Sequence, residues 1–370
     1  MKVPMLDLSE QYQGLKSEVL EVLDEVMSSS RFILGDNVKK LEADVAKYSN
    51  VNHGIGCGNG SDAIHIALQA LGVGPGDEVI TTAFTFFATG GAIARAGASP
   101  VYVDIDPVTF NIDPSKIEAA ITEKTKAIIP VHLYGQMADM ESIATIAEKH
   151  NLAIVEDAAQ AIGSKHNGKS VGELGTAATY SFFPTKNLGA YGDGGMIVTD
   201  NDDVAEKCRV IRVHGSKPKY YHHVLGYNSR LDELQAAVLN VKFPHLDTWS
   251  EMRRKNADTY TSLLKEKVGD HVVTPVEKEG NYHVFHQYTL RVENRDELQK
   301  YLQEQGVSTM IYYPLPLHVQ PVFQELGYKE GDLPITEKAA KEALSLPMFP
   351  ELKREQQEYV VEKIAEFYGK

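Results

Sequence analysis

Ser181-Phe-Phe-Pro-Thr-Lys-Asn-Leu-Gly-Ala-Tyr-Gly-Asp-Gly-Gly195 sets one lysine, Lys186, between an aromatic, β-prone run and a loop rich in glycine. Taken singly, a lysine is explained by solubility. The neighbours change that reading. Residues 178–183 read as a buried strand, and Gly189, Gly192, Gly194 and Gly195 let backbone approach something closely. A lysine at a sheet edge, with room made beside it, is placed for covalent chemistry on a carbonyl or aldehyde.

Outward from this stretch, residues 53–200 alternate short apolar runs with amphipathic helical stretches, the pattern of βαβ units. Strands are expected at 53–57, 78–82, 99–104, 125–131, 153–156, 177–182 and 195–199, and helices at 61–71, 86–96, 114–121 and 140–150. The pattern predicts an α/β fold whose sheet carries helices on both faces and its ligand site at the carboxyl ends of the strands. A long helical region over 230–267, interrupted at Pro244, crosses a domain boundary expected near residue 248. Strands at 284–292 and 307–313 and helices at 295–305 and 354–367 would then build a smaller α+β domain over 249–370, after a large α/β domain over 1–248.

Bulk properties narrow the function. The 370 residues are 43% hydrophobic and 24% charged, with a formal net charge of −14 and no basic stripe, which argues against a nucleic-acid partner. The opening MKVPMLDLSEQYQGL lacks an apolar core of signal-peptide length, and no segment approaches the ~20 apolar residues of a membrane span, so a cytoplasmic protein is expected. Cys57 and Cys208 lie far apart without metal-ligand spacing and are read as reduced thiols. His283 and His286 would fall on opposite faces of a strand with no carboxylate beside them, so no metal is expected.

Three features carry the chemistry. In Gly56-Cys-Gly-Asn-Gly-Ser-Asp-Ala63 a strand ends, glycines turn the chain, and Ser61 opens a helix whose free N–H groups suit one phosphate; a glycine turn with a serine cap is the plainer reading. The spacing is neither GxGxxG nor a P-loop. In Ala153-Ile-Val-Glu-Asp-Ala-Ala-Gln160 an apolar strand ends in a carboxylate, Asp157, which acts either as a structural ion-pair member or as partner to a protonated heterocyclic nitrogen. Lys186 follows just past the next strand. Phosphate site, carboxylate, then lysine is the order of a pyridoxal phosphate cradle.

NGSDA, VEDAAQA, SFFPTKNLGAYGDGG and GYNSRLDELQAAV together resemble the DegT/DnrJ/EryC1/StrS nucleotide-sugar aminotransferases, and the likeness runs from FILGDNVKKLE to IYYPLPLHVQP. The resemblance implies fold type I of the pyridoxal phosphate enzymes, aspartate aminotransferase-like, with a mostly parallel seven-stranded sheet. It implies that Lys186 carries the Schiff base to pyridoxal 5'-phosphate, Asp157 pairs with the ring nitrogen, Gln160 bonds the ring hydroxyl, and Phe86 stacks on the ring. Gly60, Ser61 and Ser181 would hold the phosphate. Asn228 resembles a residue reaching that phosphate from a neighbouring subunit, which implies a homodimer with a shared site. Relatives that become dehydratases replace the lysine with histidine; this chain keeps Lys186, which implies transamination, with L-glutamate as amino donor in a ping-pong cycle.

For the sugar, YYHHVLGYNSRLD with a serine after Asn228 is most similar to members that aminate carbon 3 of dTDP-3-keto-6-deoxyhexoses. By that likeness Lys219, Tyr221, His222 and His223 would touch the nucleotide-sugar, and Tyr312 and Tyr313 would line the sugar pocket. Some carbon-3 enzymes have histidine at the position of Tyr312, which leaves the hexose open. The alternative is another nucleotide keto-sugar, a UDP-3-keto-hexuronate or a carbon-4 ketone. A nicotinamide oxidoreductase would need a GxGxxG that is missing, and a DNA-binding regulator a basic face that is missing.

Overall fold

The computed structural model describes residues 1–370. Strands β1 (His53–Cys57), β2 (Glu78–Thr82), β3 (Ser99–Val103), β4 (Thr125–Ile129), β5 (Ala153–Asp157), β6 (Ala177–Ser181) and β7 (Gly195–Thr199) form one sheet in the order β1-β7-β6-β5-β4-β2-β3. Strands β3, β2, β4, β5 and β6 run parallel, while β7 is antiparallel to both β6 and β1.

The pleat explains why these runs are almost wholly apolar. Neighbours along a strand point to opposite faces, so a sheet covered on both sides needs apolar residues at every position. Ile80, Ile128, Ile154, Ala178 and Val198 enter one core with the Asp36–Tyr48 and Met140–His150 helices. Their neighbours Val79, Ala127, Val155, Ala177 and Ile197 enter the other, with the Gly60–Ala70, Phe87–Arg95 and Asp202–Ile211 helices. A further apolar core gathers Tyr260, Leu264, Tyr288, Leu298, Val307, Leu346, Val360 and Ile364, together with Val3 from the other end of the chain.

The second half departs from expectation at several points. Residues 284–292 do not form one strand: only Tyr288–Arg291 does, because the amides of Val284 and Gln287 are spent on the carbonyls of Gly135 and Tyr134. Its partner is Ala343–Leu346, which the sequence reading missed. Residues 307–313 form isolated bridges only, Val307 with Val3 and Met310 with Ser345. The helical region over 230–267, by contrast, is present and interrupted at Pro244 as expected: helices Glu233–Lys242 and Leu246–Lys267 flank a 3-10 turn holding that proline. Helices Ser9–Ser29, Asp36–Tyr48 and Asp202–Ile211 also escaped the sequence reading. No helix is long and apolar enough to cross a membrane.

Candidate active site

The carboxyl ends of the strands converge on a cavity of about 1090 Å³. Gly60, Ser61, Phe86, Asp157, Gln160, Ser181, Lys186, Tyr312 and Tyr313 all line it. Nine positions spread over more than 250 residues of chain therefore share one space. Asn228, Lys219, Tyr221, His222 and His223 do not line it in this chain.

The loop after β1 shows how tight the frame is. A Cβ on Gly195 would lie 2.4 Å from the Asn59 carbonyl carbon, and one on Gly60 2.8 Å from Ser181 Cβ. Only glycine lets these segments pass at that distance. So the glycine at the end of the lysine loop approaches protein backbone, and by doing so it presses the helix start at Gly60 against Ser181. The helix cap is Asn59, whose Oδ1 accepts from the Asp62 amide at 2.8 Å, so the plainer reading of Ser61 as a cap is set aside. The Ser61 side chain is thereby left out of the cap and lines the cavity. Behind this turn the buried Ser229 accepts from the Gly58 amide at 3.1 Å and donates to Asp62 at 2.9 Å, which ties the segment carrying Asn228 to the same loop.

Strand β5 delivers two adjacent carboxylates to two environments. Glu156 points away from the cavity and is fully buried, bonded to His132 Nε2 at 2.7 Å and to the amides of Gly172 and Gly175. Asp157 lies on the cavity side, 5% exposed. Its Oδ2 accepts from Thr89 Oγ1 at 2.7 Å and its Oδ1 from the Ala159 amide at 3.2 Å. Thr89, itself 3.0 Å from Thr85 Oγ1, was not found by sequence reading; nothing local distinguishes it from any helical threonine. Gln160 is held the same way: its Oε1 accepts from the Tyr134 amide at 2.6 Å and its Nε2 donates to Tyr313 Oη at 3.1 Å, leaving one N–H to give.

Lys186 extends into the cavity with no hydrogen bond from its amine. Shielding from bulk water lowers its pKa to about 8, and the Asp157 carboxylate works in the opposite sense. At pH 7 roughly a tenth of such a lysine is a neutral nucleophile, far more than of an exposed lysine. Phe86 caps the helix after β2 and leaves its ring 56% exposed, 6.1 Å from the Tyr313 ring. An uncommitted amine, a buried carboxylate anchored by neutral donors, an open aromatic face and a helix start flanked by serines are the donor set that a pyridine ring with a phosphate requires.

The loop over residues 217–225 is different. Tyr220 is 79% and Tyr221 67% exposed. His222 Nδ1 bonds the His214 carbonyl at 2.8 Å and His223 Nε2 the Lys217 carbonyl at 2.7 Å, so these rings shape the loop. Lys219 lies over the Tyr220 ring at 5.0 Å. The histidines at 283 and 286 also part company, although not on a strand: His283 stacks on Phe285 at 3.8 Å, while His286 bonds Asn187 Oδ1 at 3.1 Å.

Comparison with known proteins gives this geometry a family. A protein of Geobacillus stearothermophilus named pleiotropic regulatory protein is 80% identical, covering 100% of this chain and 99% of its own. The UDP-N-acetyl-3-dehydro-alpha-D-glucosamine 3-aminotransferase of Acidithiobacillus ferrooxidans is 48% identical, covering 96% of this chain and 95% of its own. Among solved structures, Streptomyces venezuelae DesV in complex with a ketimine intermediate superposes with a TM-score of 0.97 at 41% identity, over 100% of this chain and 99% of its own. NtdA of Bacillus subtilis, with its PMP cofactor bound, superposes with a TM-score of 0.93 at 37% identity, over 100% of this chain and 86% of its own. The sequence pattern of one family matches residues 13–365, and the chain therefore belongs to the DegT/DnrJ/EryC1/StrS aminotransferase family, whose members are pyridoxal phosphate-dependent sugar transaminases.

Proposed function

We propose that this enzyme moves the amino group of L-glutamate to carbon 3 of a dTDP-3-keto-6-deoxyhexose, in a homodimer whose sites are shared between subunits. The observation that carries the reading is the Lys186 amine, uncommitted and with a lowered pKa, in one cavity with an anchored Asp157. Relatives named as transaminases of dTDP-3-amino sugars support the choice of sugar, as does the serine that follows Asn228.

Bound pyridoxal phosphate supplies an electron sink that stabilises negative charge on the carbon being deprotonated. The chain's residues do the rest. Asp157, held by Thr89 and the Ala159 amide, would keep a negative charge beside the ring nitrogen, while the last free N–H of Gln160 would be offered to the ring oxygen. Ser61, Ser181 and the Gly60 helix start, which line the cavity, would bind the phosphate, and Phe86 would cover one face of the ring. Lys186 takes the proton from the α-carbon of glutamate and later returns one to the substrate carbon, a task that suits an amine titrating near 8. Lys219, Tyr221, His222 and His223 would hold the nucleotide-sugar from the neighbouring subunit, with Tyr312 and Tyr313 at the hexose and Asn228 at the cofactor phosphate.

A second reading has support of its own, because the 48% identical Acidithiobacillus relative is named for a UDP-linked 3-keto sugar. The regulatory name of the Geobacillus relative specifies no substrate. The test is product analysis: purified enzyme with L-glutamate and, in parallel, a dTDP-3-keto-6-deoxyhexose and a UDP-linked 3-keto-hexose, with products identified by mass spectrometry and NMR. Amination of the dTDP-sugar alone supports the proposal. Amination of only the UDP-sugar replaces it with the second reading, and an amino group placed on carbon 4 overturns both.

A further inference from the structure

Lys242 ends the helix Glu233–Lys242, a place where a lysine is ordinarily explained by its favourable charge at an exposed helix terminus. This one is 1% exposed. A buried ammonium is costly unless it is paired, yet Lys242 forms no ion pair, and Glu351 acts on it only through space. Its amine donates instead to the Gly189 carbonyl at 2.5 Å and lies over the rings of Tyr191 and Trp249, 5.1 and 6.0 Å from their centroids. Burial lowers its pKa to about 8, with Glu351 working in the opposite sense. A cation kept in such a place, with a backbone carbonyl as its hydrogen-bond acceptor, calls for a reason beyond the fold of its own helix.

The carbonyl it holds belongs to the loop that carries Lys186. That loop is closed at its base by the Ala190 amide, which donates to the Phe182 carbonyl at 2.8 Å, and tightened within by the Lys186 amide, which donates to the Phe183 carbonyl at 2.9 Å. Gly189 crosses it so closely that a Cβ there would lie 2.3 Å from the Pro184 carbonyl oxygen and 3.0 Å from that of Phe183. Gly189 therefore packs against the same carbonyl that receives the Lys186 amide, and a displacement of one moves the other. From another direction Asn187 Nδ2 donates to the Val284 carbonyl at 3.1 Å. The backbone of the loop is thus pinned twice, by Asn187 and by Lys242, while the Lys186 amine makes no hydrogen bond. A lysine that carries a proton between carbon atoms must swing from a backbone that stays in place, since misplacement by about 1 Å costs on the order of 100-fold in rate.

Resting on the assignment of Lys186 as the working amine, we propose that Lys242 is a positioning residue for it: the buried ammonium, by holding the Gly189 carbonyl, fixes the loop over residues 182–190 from which Lys186 reaches the cavity. Lys242 does not line that cavity and touches neither cofactor nor substrate, so it acts only through the loop.

The test uses the full chain and two readings. In Lys242→Met, hydrogen–deuterium exchange read by mass spectrometry should show the amides of residues 182–190 exchanging roughly 10-fold faster, while strand β2 keeps its protection. The melting temperature at pH 7 should be unchanged or higher, because an unpaired buried charge has been removed. With pyridoxal phosphate bound, the limiting rate at which L-glutamate bleaches the visible band should fall roughly 10-fold, and half-saturation by glutamate should stay within about twofold of wild type. Lys242→Arg, which keeps a charged donor, should restore both readings to within about threefold. Unchanged exchange or an unchanged rate in Lys242→Met overturns the proposal. So does a lower melting temperature with every element exchanging faster, which would make Lys242 a support of the whole fold. Should Lys242→Met fail to fold, Lys242→Gln, one bond shorter and uncharged, carries the same test. A wild type that glutamate does not bleach would overturn the assignment of Lys186 and this role with it, whereas a wild type that bleaches no faster than the variants overturns the role of Lys242 alone.

Discussion

Around Asp157 the cavity wall is committed: Thr89 and the Ala159 amide hold the carboxylate, and Tyr134 and Tyr313 hold the Gln160 amide, all within one chain. In the loop over residues 217–225, by contrast, Tyr221 and Leu225 are 67% and 92% exposed, and the histidine rings turn back on carbonyls of their own loop and the residues just before it. One region is finished inside the fold; the other presents aromatic and cationic groups to something outside it. A small rigid cofactor rewards side chains locked by surrounding hydrogen bonds, whereas a bulky substrate or second subunit is met by surface that orders on contact.

The largest expected effect lies on the committed side. Lys186→Ala should lower transamination by roughly 1000-fold or more and abolish the visible absorption band that wild type develops with pyridoxal phosphate, while circular dichroism stays unchanged. An active Lys186→Ala variant would break the assignment of this region. Asp157→Asn keeps the shape and the Thr89 hydrogen bond but removes the charge, and should cost roughly 100-fold in kcat at constant fold. Retention of full activity would show that the carboxylate serves packing and not the ring.

On the other side, Lys219→Ala and Tyr221→Ala should each raise KM for the nucleotide-sugar by roughly 10-fold with little change in kcat or melting temperature. A fall in melting temperature without a KM effect would mean that the loop, too, is built for the fold. The smallest effect concerns stability. The Lys186 pKa, about 8 in the folded chain, lies below the 10.5 of a free lysine. The unfolded chain therefore binds the extra proton between those values, so the penalty is full below pH 8 and fades as pH rises towards 10.5. Lys186→Met should raise the melting temperature of the cofactor-free protein by about 2 °C or more at pH 7, and by less at pH 10. An equal gain at both values would point to packing instead of charge.

Legibility in the sequence followed the range of the interactions. Strand β5 could be read because an apolar run ends in Asp157, and the Lys186 loop because glycine crowds behind a strand. Thr89 could not, since its partner lies 68 residues away and its own surroundings are those of an ordinary helix. Asn187 and His286, 99 residues apart, were equally silent. The β-prone run at 284–292 misled because backbone amides of that segment bond to Gly135 and Tyr134, a choice that alternation of side chains does not record. The cap reading of Ser61 fails for a nearer reason: Asn59, two residues earlier, makes the cap.

By itself the amino-acid sequence determined the seven strands of the large sheet and the order in which phosphate loop, carboxylate and lysine occur. These follow from local patterning, since a strand buried on both faces must be apolar throughout and a turn against backbone must be glycine. Tertiary structure alone decided which polar groups meet. Hydrogen bonds form over about 3 Å, and only the packing of elements distant in sequence brings Thr89 to Asp157, Tyr134 to Gln160 and Asn187 to His286 within that reach.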